Sequence, residues 1–238
     1  MKFPGGIKES LTQWRRELTS STQRLLGDTI GLSDNDWRGP SLLPGWSRAH
    51  VSAHLAYHGE CLTRMAARLV ETQESVTWNC SYADDDLWVK AQRNSLALTE
   101  DLDESCAAVS KALDSITPAL WARTVRTSHG ELPASAMVLN RINEVVVHHV
   151  DMQLGVDFTD LLPALVRLLL QWNVFRSTPR FSEVELTMIT DEGLTLTVGQ
   201  GTPMTVRGSE ANLLGWITGR KLSTAILGAE QLDLRHPV

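Results

Sequence analysis

Basic excess, a cysteine framework and long apolar runs are all missing from this sequence, and each absence closes a class of function. The net charge is −6 and the pI near 5.6, so no nucleic-acid partner is expected. No apolar run approaches the roughly 20 residues that cross a bilayer, so no membrane partner is expected either. The opening Met1-Lys2-Phe3-Pro4-Gly5-Gly6 lacks the apolar stretch of a secretory signal. Cysteine occurs only at Cys61, Cys80 and Cys106, widely spaced and without a C-x-x-C pair. That argues against a disulfide framework, a zinc ribbon or a dithiol redox motif, and for a reduced cytoplasmic compartment. What is there, 42% hydrophobic and 21% charged residues over 238 positions, suits one or two globular domains.

The first two thirds of the chain read as long helices. Ile7, Leu11, Trp14, Leu18 and Leu25 recur at helical spacing, which predicts a helix over 5–27. A short helical turn is expected at Asp34 to Trp37. Ser47 is a candidate N-cap for a second long helix reaching about Glu71, with Val51, Leu55, Leu62, Met65 and Leu69 on one side. Residues 83–116 are expected to form a third, opened by Asp84-Asp85-Asp86. After a turn at Ser128-His129-Gly130, Pro133 suits the first turn of a fourth helix ending near Leu154. Four such helices make a bundle.

Beyond Gly155 the pattern changes. An apolar helix over 160–176 precedes two alternating runs, Val184-Leu186-Met188 and Leu194-Leu196-Val198, around Asp191-Glu192-Gly193. Such a pattern predicts a β-hairpin. Met204-Thr205-Val206 reads as a further strand and Ser209 as the cap of a helix to about Thr218; Leu222 to Leu234 has no clear period. The expected architecture is therefore mainly α: a helical bundle over 1–155 and a small α+β domain over 156–238.

Histidine is concentrated where chemistry can use it. His50, His54 and His58 lie four apart on the second helix, while Glu144 and His148 lie four apart on the last helix of the bundle. On a helix such residues share a face roughly 6 Å apart along the axis. The β-branched stretch Val145-Val146-Val147 leaves a strand open, in which the same pair would lie about 13 Å apart and could not chelate together. The stripe Met137, Arg141, Glu144, His148, Asp151 is mostly polar in an otherwise apolar helix. Burying such groups is costly unless they are paired or bind metal. His54 adjoins the buried Val51–Leu55 side, so His54, Glu144 and His148 are the candidate ligands of one ion.

Two histidines and one carboxylate leave a coordination position open, as at catalytic zinc, although another divalent transition ion also suits these donors. The alternative is a closed, non-enzymatic metal or small-ligand site completed by His50 or His58. Those two otherwise read as partly exposed polar positions, and His149 as a residue that caps or hydrogen-bonds within the bundle. Asp151 reads as a partner that orients a ligand histidine. Cys61 reads as a small core residue, and the eight tryptophans as core and pocket walls.

The run from Ser41 to Ala56, containing Leu43-Pro44-Gly45-Trp46-Ser47 and His50-Val51-Ser52-Ala53-His54, resembles the mycothiol-dependent maleylpyruvate isomerase family. So does Pro133-Ala134-Ser135, followed by Arg141 and then Glu144 to Asp151. The resemblance covers nearly the whole chain. It implies a DinB-like four-helix domain carrying a metal at His54, Glu144 and His148, with a C-terminal domain related to sterol carrier proteins. It also implies a functional arginine at Arg220, which otherwise reads as a solvated cation at a helix end. Arg141 matches a family arginine that would bind the cofactor or a carboxylate, or pair with Glu144.

The chemistry implied is that of mycothiol, a low-molecular-weight thiol cosubstrate. Its zinc-bound thiolate would add reversibly to the double bond of maleylpyruvate, allow rotation and leave. Arg220 would anchor a substrate carboxylate. Two departures bear on the substrate: Asn143 stands where a basic residue is expected, and Thr77 to Asp84 differs from the isomerase pattern. Thiol transfer to another electrophile, in detoxification or secondary metabolism, is therefore the competing enzymatic expectation. The implied partners are the small-molecule substrate and the thiol, and the expected state is a monomer.

Overall fold

The computed structural model describes residues 7–78, 84–127, 130–221, 226–230, 232 and 234. It divides between Leu154 and Gly155 into two compact units.

In the first unit, α1 (Ile7–Thr29), α3 (Arg48–Thr72), α5 (Ser95–Asp114) and α6 (Ala136–Asp151) form a four-helix bundle. Helix α3 packs on α5 and α6, and α1 packs on α6 and α5. The short α2 (Asp34–Arg38) precedes α3, and α4 (Asp84–Ala91) lies against it. Leu55, Leu62, Leu69, Leu98, Leu102, Leu113, Ile142 and Val145 close the core between the helices. Helix α3 begins at Ser47, whose backbone N–H donates to Nδ1 of His50, so an imidazole completes the cap. Gln73, in the left-handed region at φ 54°, ends it.

Residues 83–116 do not form one helix. The Asn94 side chain accepts from the Ala97 N–H, starting α5 afresh after α4 has ended. Nor does Pro133 sit in the first turn of α6. It ends a strand, β3 (Gly130–Pro133), paired antiparallel with β2 (Thr124–Thr127), which in turn runs parallel to β1 (Val76–Thr77). The Ala134 and Ser135 N–H groups donate to the carbonyls of Arg123 and Trp121, holding the chain out of the helix until Ala136. Ser128 and His129 of the expected turn lie outside the described residues, as does 79–83 of the loop before α4. Helix α6 is buried at every residue except Asn140. All-round burial explains how Val145-Val146-Val147 is helical here: packing from all sides outweighs β-branched propensity.

In the second unit, α7 (Pro163–Arg176) starts with Pro163, whose missing N–H costs nothing at a first turn. Strands β4 (Val184–Thr190), β5 (Thr195–Gly199) and β6 (Thr202–Gly208) form a sheet in the order β5-β4-β6, with β4–β5 an antiparallel hairpin and β6 parallel to β4. To reach the far edge of β4 the chain passes close over its start. A Cβ on Gly201, at φ 117°, would lie 2.3 Å from the Glu183 carbonyl oxygen, so only glycine fits. Helix α8 (Glu210–Ile217) follows, capped by Ser209 through the Asn212 N–H. Leu186, Met188, Val198 and Val206 of the sheet are buried with Leu169 and Leu170 of α7 and Leu213, Leu214 and Trp216 of α8. Part of the aperiodic tail (222–225, 231, 233 and 235–238) lies outside the described residues.

Candidate metal centre

Three side chains from two packed helices converge inside the bundle. His54 comes from α3, and Glu144 and His148 from adjacent turns of α6. Oε2 of Glu144 lies 3.2 Å from Nε2 of His54 and 3.3 Å from Nε2 of His148. The two imidazole centroids are 4.5 Å apart. One donor atom from each residue falls within 4.8 Å of the others. Tetrahedral zinc with nitrogen ligands at 2.0–2.1 Å sets its donors about 3.3 Å apart. The donor set therefore fits a single divalent ion.

The groups behind this cluster fix its geometry. Nδ1 of His148 donates to Oδ2 of Asp151 at 2.7 Å, and Asp151 is wholly buried. That bond holds the ring and leaves Nε2 to face Glu144, the usual arrangement of a carboxylate behind a metal-binding histidine. Burial pushes the Glu144 carboxyl up, but hydrogen bonds from His148 and His54 and nearby positive charge outweigh it and hold the group well below the usual range. At His54 burial dominates, helped by His148, and lowers its pKa, favouring the neutral imidazole that binds metal. At His148 burial is overcome by Asp151 and Glu144, and the pKa is raised.

One turn along, Arg141 is 1% exposed and its guanidinium serves internal partners. Nη1 donates to the Leu55 carbonyl at 2.8 Å and to Nδ1 of His58 at 3.2 Å; Nη2 reaches Sγ of Cys106 at 3.6 Å. Nε2 of His58 lies 3.0 Å from Nδ2 of the Asn140 amide. His58 is thus buried, not partly exposed as its sequence position suggested, and burial lowers its pKa to about 3. A polar network, rather than a ligand face, surrounds Arg141. His149 pairs with Asp28 of α1 at 3.0 Å.

A row of rings extends outward from His54. Trp46, in the turn before α3, has its ring 5.8 Å from His54 and 6.3 Å from His50; Trp88 of α4 meets His50 edge-on at 4.1 Å. Trp78 lies 5.7 Å from His58. The sequence pointed to tryptophans as pocket walls but not to which ones. Their contacts depend on how α4 and the turn before α3 pack, and no local spacing encodes that.

Neither described cysteine suits nucleophilic work. Burial pushes the Cys106 thiol up. Cys61 is a buried residue of α3. Arg220 belongs to the second unit, just after α8; its backbone N–H donates to the Gly215 carbonyl and its guanidinium to the Thr218 carbonyl.

Comparison with known proteins adds a family and a fold. A family model described as the mycothiol maleylpyruvate isomerase N-terminal domain matches residues 18–153. Among solved structures, a mycothiol-dependent maleylpyruvate isomerase superposes with a TM-score of 0.79 at 22% identity, covering 91% of each chain. A histidine-to-alanine mutant of that isomerase gives the same values. YfiT from Bacillus subtilis, described as a probable metal-dependent hydrolase with an unusual four-helix bundle topology, matches with a TM-score of 0.50 at 17% identity, over 65% of this chain and 91% of its own. No curated protein sequence matches the chain.

Proposed function

Because the chain belongs to the mycothiol maleylpyruvate isomerase N-terminal domain family, we propose that it is a metal-dependent enzyme using mycothiol, with maleylpyruvate isomerisation its best-defined reaction. The observation that carries this reading is the convergence of His54, Glu144 and His148, braced by Asp151. Zinc is the ion proposed for these N/O donors. When bound, the metal supplies Lewis acidity that lowers the pKa of a thiol at its open position.

The protein's own groups do the rest. His54 and His148 present their Nε2 atoms, and Glu144 brings a negative charge that buried partners keep ionised. Arg141 is a positioning residue: it fixes the Leu55 carbonyl and His58 beside His54. Arg220 anchors a substrate carboxylate through its planar fork of donors. In the reaction the thiolate sulfur bonds to one carbon of the double bond, and the π pair moves onto the conjugated carbonyl. Rotation about the resulting single bond precedes loss of the thiolate, which restores the double bond in the trans form. No cysteine of the chain takes part. No helix among the described residues is long and apolar enough to cross a membrane. Use of a thiol kept reduced inside the cell makes the cytoplasm the expected location.

Asn143 supports a second reading. It is a neutral residue, 4% exposed, immediately before Glu144, where a basic residue was expected. The same activated sulfur would then remain on a different electrophile, giving S-transfer. Turnover of maleylpyruvate by the metal-loaded protein, with and without mycothiol, separates the two. Thiol-dependent turnover is the expected result; metal without turnover would discard isomerisation in favour of S-transfer. Arg220→Ala should lower turnover while leaving metal content unchanged, and unaltered turnover would remove Arg220 from the mechanism.

A further inference from the structure

The row of rings leading away from His54 has a surface end. Trp88 is 45% exposed although its edge partner His50 is half-buried, and Trp46 is half-buried between His50 and His54. Three elements supply the row: the turn before α3, α3 itself and α4. The cations of these elements and of neighbouring α6 that lie closest in sequence to the row already have partners. Lys90 is 2.9 Å from Glu60 and lies over the Tyr57 ring; Arg48 donates to the Asp36 carbonyl; Arg141 is enclosed in its own network. Exposed Asp85 and Asp86 immediately precede the turn of α4 that carries Trp88. A π surface with an acidic edge disfavours a compact dianion and favours a flat, uncharged ring, which gains from offset or edge-on contact.

Building on the S-transfer reading above, we infer that the electrophile of that reaction is an aromatic conjugated carbonyl compound whose ring lies against Trp88 and Trp46. Its double bond extends toward His54. The thiol sulfur bonds to the β carbon, the π pair moves to the carbonyl oxygen, and the proton lost by the thiol returns to the α carbon. Nothing is oxidised or reduced. Maleylpyruvate has no ring and would occupy only the reacting end.

Binding of benzylacetone, a saturated ketone that cannot react, isolates recognition from chemistry. The zinc-loaded protein should bind it about five- to tenfold more tightly than its cyclohexyl analogue, the scale expected of ring–ring contact. Trp88→Ala should abolish that preference without altering zinc content, and Trp88→Phe should restore most of it. Equal affinity for the two ketones in the wild type, or a preference untouched by Trp88→Ala, would overturn the inference. A retained preference in a protein that consumes no electrophile with mycothiol would instead defeat the proposed reaction and leave the aromatic wall standing.

Discussion

The two units bury polar groups in opposite ways. In the second, three buried polar groups have local structural duties. Asn173 donates to the Leu169 carbonyl one turn back, Thr190 accepts from the Leu194 N–H across the hairpin turn, and Glu210 takes Arg167 at 2.7 Å. In the first, Arg141, Glu144, His148 and Asp151 are all buried on α6, and two of them share a focus with His54. Groups with local duties stabilise a fold; groups aimed at one point set their donor atoms within reach of a single ion. The contrast is why we propose the chemistry in the bundle.

Substitutions can break that contrast, beginning with the largest effect. Asp151→Asn removes the carboxylate behind His148 but keeps its shape. Metal affinity should fall about 10- to 100-fold, measured by competition with a chelator, and unchanged affinity would show that Asp151 only packs. His58→Gln tests the network around Arg141. Burial holds the His58 pKa near 3, far below its ordinary 6.5, so the unfolded chain takes up this proton first as the pH falls. Stability of the metal-free protein should therefore drop from about pH 6.5 toward pH 3, by up to about 1.4 kcal/mol per pH unit for this group. Urea midpoints at several pH values should show a shallower slope in His58→Gln; identical slopes would remove His58 as the cause. Glu210→Gln should have the smallest effect, a loss of roughly 1 kcal/mol in stability with metal content untouched. A loss of metal there would erase the distinction between the units.

Much of this was legible in the sequence because its period is local. Glu144 and His148 at helical spacing, the cap at Ser47 and the alternation of β4 and β5 are read within a few residues. The breaks were not. Asn94 divides a continuous apolar pattern by a side-chain cap, and Pro133 is drawn into β3 by pairing with Thr124, which lies a hairpin away. The same limit applies at the site. Spacing singled out His54, Glu144 and His148, whereas the burial of His58 depends on Arg141 and Asn140 arriving from another helix.

Metal content of the purified protein, set beside that of His54→Ala, tests the central claim most directly. The account predicts close to one equivalent of divalent ion per chain in the wild type and almost none in the variant, with the helical circular dichroism signal largely retained. No metal in the wild type after loading, or equal content in both proteins, would contradict it.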